Sequence, residues 1–255
     1  MSTSENQITI TMKRLLTLFI ILPALSFSQN SIVIYRTNNI ITVGTDSYKI
    51  LPLNKNGVKP KKDTVATAQT IKNVRNYYFA ITGSVSDKTI IAARQSCMEG
   101  ATIAEVVSLY KEKRTKSFAD EMYNVKNNNT EYYRNNISNK YVFSIVFFCI
   151  ENDTPKAAKI DFYVKDKING GVSVELNIHK VPGRNNLAPS FLVSGHRDAM
   201  NNSEFFSGEM NSNPVKGIEK LLRKQINKTP GSVAFPIQIM QIKQDGVINI
   251  PKIYS

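Results

Sequence analysis

Along this chain the apolar positions change period several times, and each change marks an element. SIVIYR and IITVGTDSYKI, residues 31–36 and 40–50, are dominated by β-branched residues and flank a polar break at 37–39, which predicts two strands joined as a hairpin. Residues 51–66 are rich in Pro, Lys, Asn and Gly and read as a loop. TIKNVRNYYFAITG, residues 70–83, predicts one or two further strands ended by Gly83.

From Ser84 the period becomes helical. Ile90, Ile91, Ala93, Arg94 and Cys97 follow a Ser-x-x-Asp start, and a second helical stretch begins near Thr102 with Ile103, Val106, Val107 and Tyr110, running to about Tyr123. NVKNNNTEYYRNNISN, residues 124–139, has no period and is expected to be a polar loop. Strands return at KYVFSIVFFCIEN, AAKIDFYVKD, VSVELNIHKV and SFLVSG, separated by Asn, Asp, Pro and Gly at hairpin-like distances. PVKGIEKLLRKQINK, residues 214–228, predicts a helix with Ile218, Leu221, Leu222 and Ile226 on one face, and FPIQIMQI and VINI predict a closing hairpin. Strands, helices, strands, helix, strands: this order predicts an α+β layered domain with antiparallel sheets, and argues against a doubly wound parallel sheet. With no internal repeat and no linker, residues 31–255 read as one domain.

Composition changes this picture little, since 42% hydrophobic and 21% charged residues are ordinary globular material. The net charge of +13 is scattered, with one short cluster at 59–62. Without a helix-turn-helix, zinc-finger or RNP-type pattern, the excess reads as a solvated basic surface, and no specific nucleic-acid partner is expected. MKRLLTLFIILPALSFS, residues 12–28, has a basic start and an apolar run at 15–27, too short for a comfortable membrane span and suited to a secretory signal. Cleavage after Ser28 is expected, with residues 1–11 as an upstream extension. The mature chain, still at +12, would then be exported to periplasm or exterior without a stable membrane span. An uncleaved anchor is the rival reading. Export would let Cys97 and Cys149 pair, whereas their apolar settings suit two buried thiols. His179 and His196 belong to no metal-binding motif.

Four short stretches together resemble a proteasome β-type subunit of the N-terminal-nucleophile hydrolases: TVGTDS, VRNYYFAITGSVSD leading into a long helix, SFLVSGHRDAM, and GSVAFPIQIMQIKQDGV. The resemblance implies a four-layer αββα sandwich of two antiparallel sheets and an amide or peptide hydrolase, working with no cofactor and no metal. A peptide or amide substrate and a homo-oligomeric assembly are the partners it implies. Its nucleophile would be the first residue of the mature chain. The α-amine, with an ordinary pKa of about 7.7–8.0, would serve as that residue's base.

Carried over residue by residue, Asp46 matches the aspartate that ends the second strand. The nucleophile falls on Ser31, or on Asn30 by strict turn length, and only Ser31 has the hydroxyl. The resemblance also implies a lysine near the nucleophile, which falls on Lys72 or Lys62, with Lys72 preferred for lying on a strand; Ser194 matches a serine that follows glycine in the family but here follows Val193, and Asn227 stands where an aspartate is expected. Asn30 also replaces the usual glycine before the cut, and cleavage after Ser28 would leave Gln29 and Asn30 to be trimmed before Ser31 had a free amine. These departures define the alternative expectation, a catalytically inactive binding or assembly module of the same fold.

Overall fold

A computed structural model describes residues 26–28, 30–48, 71–182, 188–195, 199–200, 204–205, 207–229 and 233–254. The segment read as an export signal, the loop at 51–66 and Lys62 lie outside them, except for Ser26–Ser28, which form the short strand β1. The chain continues with β2 Ser31–Arg36, β3 Ile40–Tyr48, β4 Ile71–Val74 and β5 Tyr77–Val85. Helices α1 Asp87–Glu99, α2 Ile103–Asn128 and α3 Thr130–Asn136 follow. Then come β6 Tyr141–Glu151, β7 Thr154–Asp166, β8 Val172–Val181, β9 Ser190–Gly195, α4 Gly208–Ser212, α5 Pro214–Lys228, β10 Val233–Lys243 and β11 Gly246–Ile253.

The expected α+β class with antiparallel sheets is observed. One sheet runs β1-β5-β6-β7-β8, with β4 sharing the β1 edge of β5, and the other runs β11-β10-β3-β2-β9. Every pairing among the described residues is antiparallel. Because side chains alternate across a strand, each strand feeds two clusters. Phe79, Phe143, Ile145, Phe147, Ile160 and Phe162 pack with Val106, Tyr110 and Phe118 of α2. Ala80, Val146 and Phe148 face the other way, where they meet Ile32, Ile34, Ile41 and Val43 of the second sheet. The opposite faces of those strands, carrying Val33 and Tyr35, lie under Ile218, Leu221, Leu222 and Ile226 of α5. A strand covered on both sides is apolar at nearly every position, and β6 is buried from Val142 to Cys149.

Local signals set the helix ends. Thr102 accepts from the Glu105 backbone while the Glu105 side chain accepts from Ala101 N–H, a reciprocal cap. Asn213 caps α5 through Lys216 N–H with Pro214 in the first turn. The stretch expected as a polar loop at 124–139 is instead the end of α2 followed by α3, with Asn129 ending one and capping the other. Its buried anchor, Tyr133, donates to Asp166 at the end of β7, a contact that no local pattern could announce.

Gly44 in the middle of β3 sets how close α5 can come. A Cβ at this position would overlap the Ile218 side chain and press on Leu222. Gly44→Ala is therefore expected to cost about 1–3 kcal/mol by overpacking, measured by chemical denaturation. Ile218→Ala in the same chain should recover part of that loss, and an additive double variant would contradict the assigned contact.

Candidate functional site

Ser31 opens β2 opposite Gly195 of β9, and Ile32 stands opposite Thr45 of β3, so Asp46 is the next residue beside Ser31. Ile32 points between the sheets, so the Ser31 side chain takes the α5 face. The Ser31 N–H donates to Asp46 Oδ1 at 2.7 Å, and both residues are fully buried. Among the described residues Asp46 Oδ2 has no hydrogen-bond partner. Burial pushes the Asp46 carboxyl well above the usual carboxylate range, while the N–H and hydroxyl of Ser31 pull it partly back.

The residues just before Ser31 join the two sheets. Ser28 pairs with Gly83 of β5 in one sheet, and by Ser31 the chain has crossed to the other. Asn30 is buried at the crossing, its Nδ2 donating to the Ile81 carbonyl at 3.2 Å. Its own carbonyl lies against Gly195, whose φ of 81° and lack of a Cβ permit the approach, since a Cβ would overlap the Asn30 oxygen.

Ser194 faces the interior between the sheets, on the side carrying Leu192. Its hydroxyl is 2.8 Å from Thr82 Oγ1, which is 3.2 Å from the Tyr141 hydroxyl, which is 2.8 Å from Ser144 Oγ. Ser144 donates to Asp161, whose Oδ2 lies 3.0 Å from Lys159 Nζ and 3.5 Å from His179 Nε2. A hydroxyl chain ending on a carboxylate can align its O–H groups toward that end, leaving a Ser194 lone pair to accept. Burial raises the Tyr141 pKa, its hydroxyl bonds opposing part of the rise.

The sequence therefore pointed to two residues that the fold brings together, Ser31 and Asp46, to Ser194 on the strand beside Ser31 but facing the other side of the sheet, and to Lys72 and Asn227, which face elsewhere. Lys72 sits on β4 next to Ile71, which faces the second sheet, so alternation turns Lys72 to the opposite face. Among the described residues no lysine contributes to the shift at Asp46. Ser194 belongs to the inter-sheet chain. Asn227 is exposed on α5, and the buried polar residue of that turn is Gln225, which accepts from Ala199 N–H and donates to Thr229. Thr82, Tyr141, Ser144, Lys159, Asp161 and His179 were not anticipated as a group. Their signal was a polar residue inside an otherwise apolar strand, Ser144 in FSIVF and Asp161 in KIDFY.

Cys97 and Cys149 are buried and unpaired, and burial pushes both thiols up to about 12. Among the described residues no group of three or more His, Cys, Asp or Glu could hold a metal ion, and no helix is long and apolar enough to cross a membrane. No protein-family model matches this sequence, and no curated protein matches it either.

Between the ordinary carboxylate range and its raised folded value, Asp46 in the folded chain holds a proton that the unfolded chain has released. Its contribution to stability is thus largest in acid and falls as pH rises through that window. Asp46→Asn keeps the acceptor for Ser31 N–H and removes the charge. Unfolding of the two full-length chains across pH 4–8 should give a variant whose stability declines less toward neutral pH than the parent's. Parallel curves would remove Asp46 as the source.

Proposed function

We propose that the protein is an exported, proteasome-like N-terminal-nucleophile hydrolase with a four-layer αββα fold, cutting amide or peptide bonds with Ser31 once the residues before it are gone. The observation that carries this reading is the Ser31 nitrogen 2.7 Å from a fully buried aspartate. In the intact chain that nitrogen is an amide with one hydrogen, and among the described residues Asp46 Oδ2 has no partner. Breaking the Asn30–Ser31 bond would put an α-ammonium at the same point, with positive charge and three donors for a desolvated carboxylate. The helix, sheet, sheet, helix order of the three apolar clusters supports the fold part of the proposal.

In the proposed reaction the neutral α-amine takes the proton from the Ser31 hydroxyl as Oγ attacks the substrate carbonyl. The amine then gives that proton to the departing nitrogen, leaving an ester on Ser31, and water activated by the same amine releases the acid. Loss of Asn30 would open the space beside Gly195, Thr82 and Ser194 to a substrate. Asp46 holds the amine in place.

A second reading, an inactive binding or assembly module of the same fold, draws on the full burial of Ser31 behind Asn30 and on Lys72 facing away from Asp46. Intact mass and N-terminal sequencing of the natural product decide between the two. Hydrolysis predicts Ser31 as first residue, labelling there by a serine-directed covalent probe, and loss of small-peptide-amide cleavage in Ser31→Ala. An active protein that keeps residues before Ser31 would rule out the amine mechanism, and a folded protein that the probe leaves unlabelled would favour the inactive module.

A further inference from the structure

We propose that a second site, separate from Ser31, binds a small carboxylate with an aromatic or branched aliphatic body. It lies where the edge strands β8 and β9 of the two sheets face each other, in a cavity of about 170 Å³. The polar wall is Lys159 and His179, and the apolar wall is Phe191, Leu192, Val193, Met200 and Phe205.

The polar wall presents nitrogen. Asp161 does not line the cavity: it is buried behind the two bases, with Oδ1 taken by Ser144 and Oδ2 facing Lys159 and His179. Lys159 also donates to the Val193 carbonyl at 3.2 Å, which ties its ammonium across the gap between the sheets. An ammonium has three donors, and these two contacts leave one for the cavity. His179, half exposed and held at Nε2 by the carboxylate, supplies the second polar group. A carboxylate satisfies the remaining ammonium hydrogen of Lys159, and the net charge of +13 favours the approach of an anion over a cation.

The apolar wall sets the other half of the ligand. Phe191 and Phe205 stack with centroids 4.3 Å apart and planes 5° from parallel, giving a flat aromatic surface beside the flexible Met200. A dry cavity of about 150 Å³ accommodates one benzene ring, so this one suits a single ring or a short branched chain.

Calorimetric titration of the full-length protein with phenylacetate tests the site, with phenylacetamide as the neutral isostere. Lys159→Met alone would strand a buried carboxylate, so the informative variant is Lys159→Met with Asp161→Asn, joined by His179→Gln at the exposed end. Phenylacetate should bind at least about tenfold more tightly than the amide, and the double variant should lose that preference. His179→Gln should weaken the acid several-fold while leaving the amide unchanged. A carboxylate also ends every peptide, so Ala-Phe and its C-terminal amide run alongside. A free-acid ligand is supported if phenylacetate binds more tightly than Ala-Phe, and a chain-end ligand if Ala-Phe is tighter and amidation abolishes binding. Equal affinity for acid and amide, an unchanged preference in the folded double variant, or no heat up to about 10 mM acid overturns the proposal.

Discussion

Strands covered on both faces have no water to turn to, so every polar side chain within them must find its partner inside the protein. That constraint organises this molecule. Ser47 donates to the Pro236 carbonyl, and Arg36 at the end of β2 reaches the carbonyl of Pro155 in β7 of the other sheet and that of Ala188 just before β9. Asp161 gathers a hydroxyl, an ammonium and an imidazole. Asp46 accepts from Ser31, and among the described residues its Oδ2 has no hydrogen-bond partner. Among the described residues the site proposed for catalysis is thus one of three places, with the Tyr110 hydroxyl and Ser190 Oγ, where internal pairing is incomplete.

Much of the fold was legible because burial on one or two faces writes itself into the period of apolar residues. The hairpin of β2 and β3, the run of β6 to β9 and the helix α5 follow that period closely. The stretch at 124–139 did not, since its asparagines and charges contact solvent and its single deep anchor, Tyr133, is held by a residue more than thirty positions away. Helix α4, only five residues long, is likewise set by its Ser207 cap and the burial of Met210 under α5, and too little chain is involved to show a period.

The site was legible to the extent that strand register could be counted. Asp46 and Ser31 are neighbours across one hairpin, so a two-residue repeat and a short turn are enough to join them. Lys72 depends on which face of β4 meets the second sheet, and one position reverses that answer. Asn227 and Gln225 differ by two positions on a helix, about 200° and so nearly opposite sides, and the buried member is the one that packing selects. The inter-sheet chain was harder still, because its members come from β5, β6, β7, β8 and β9 and meet only when both sheets have formed.

Asn30 links the two polar clusters. Its side chain is bonded to the Ile81 carbonyl, one residue from Thr82, and its carbonyl rests on Gly195, one residue from Ser194, while its peptide bond supplies the amide that Asp46 accepts. The same residue thus fills the gap at the Ser194 end of the hydroxyl chain and keeps the Ser31 nitrogen uncharged. On the proposed reading its departure does two things at once: it exposes Thr82 and Ser194 and gives Asp46 a counter-ion. The cost is the pairing of β1 with β5, three residues at the end of a sheet that keeps β4 on the same edge of β5. On that reading an α-amine would give the buried Asp46 carboxyl more donors than the amide of the intact chain does, set against three residues of edge pairing.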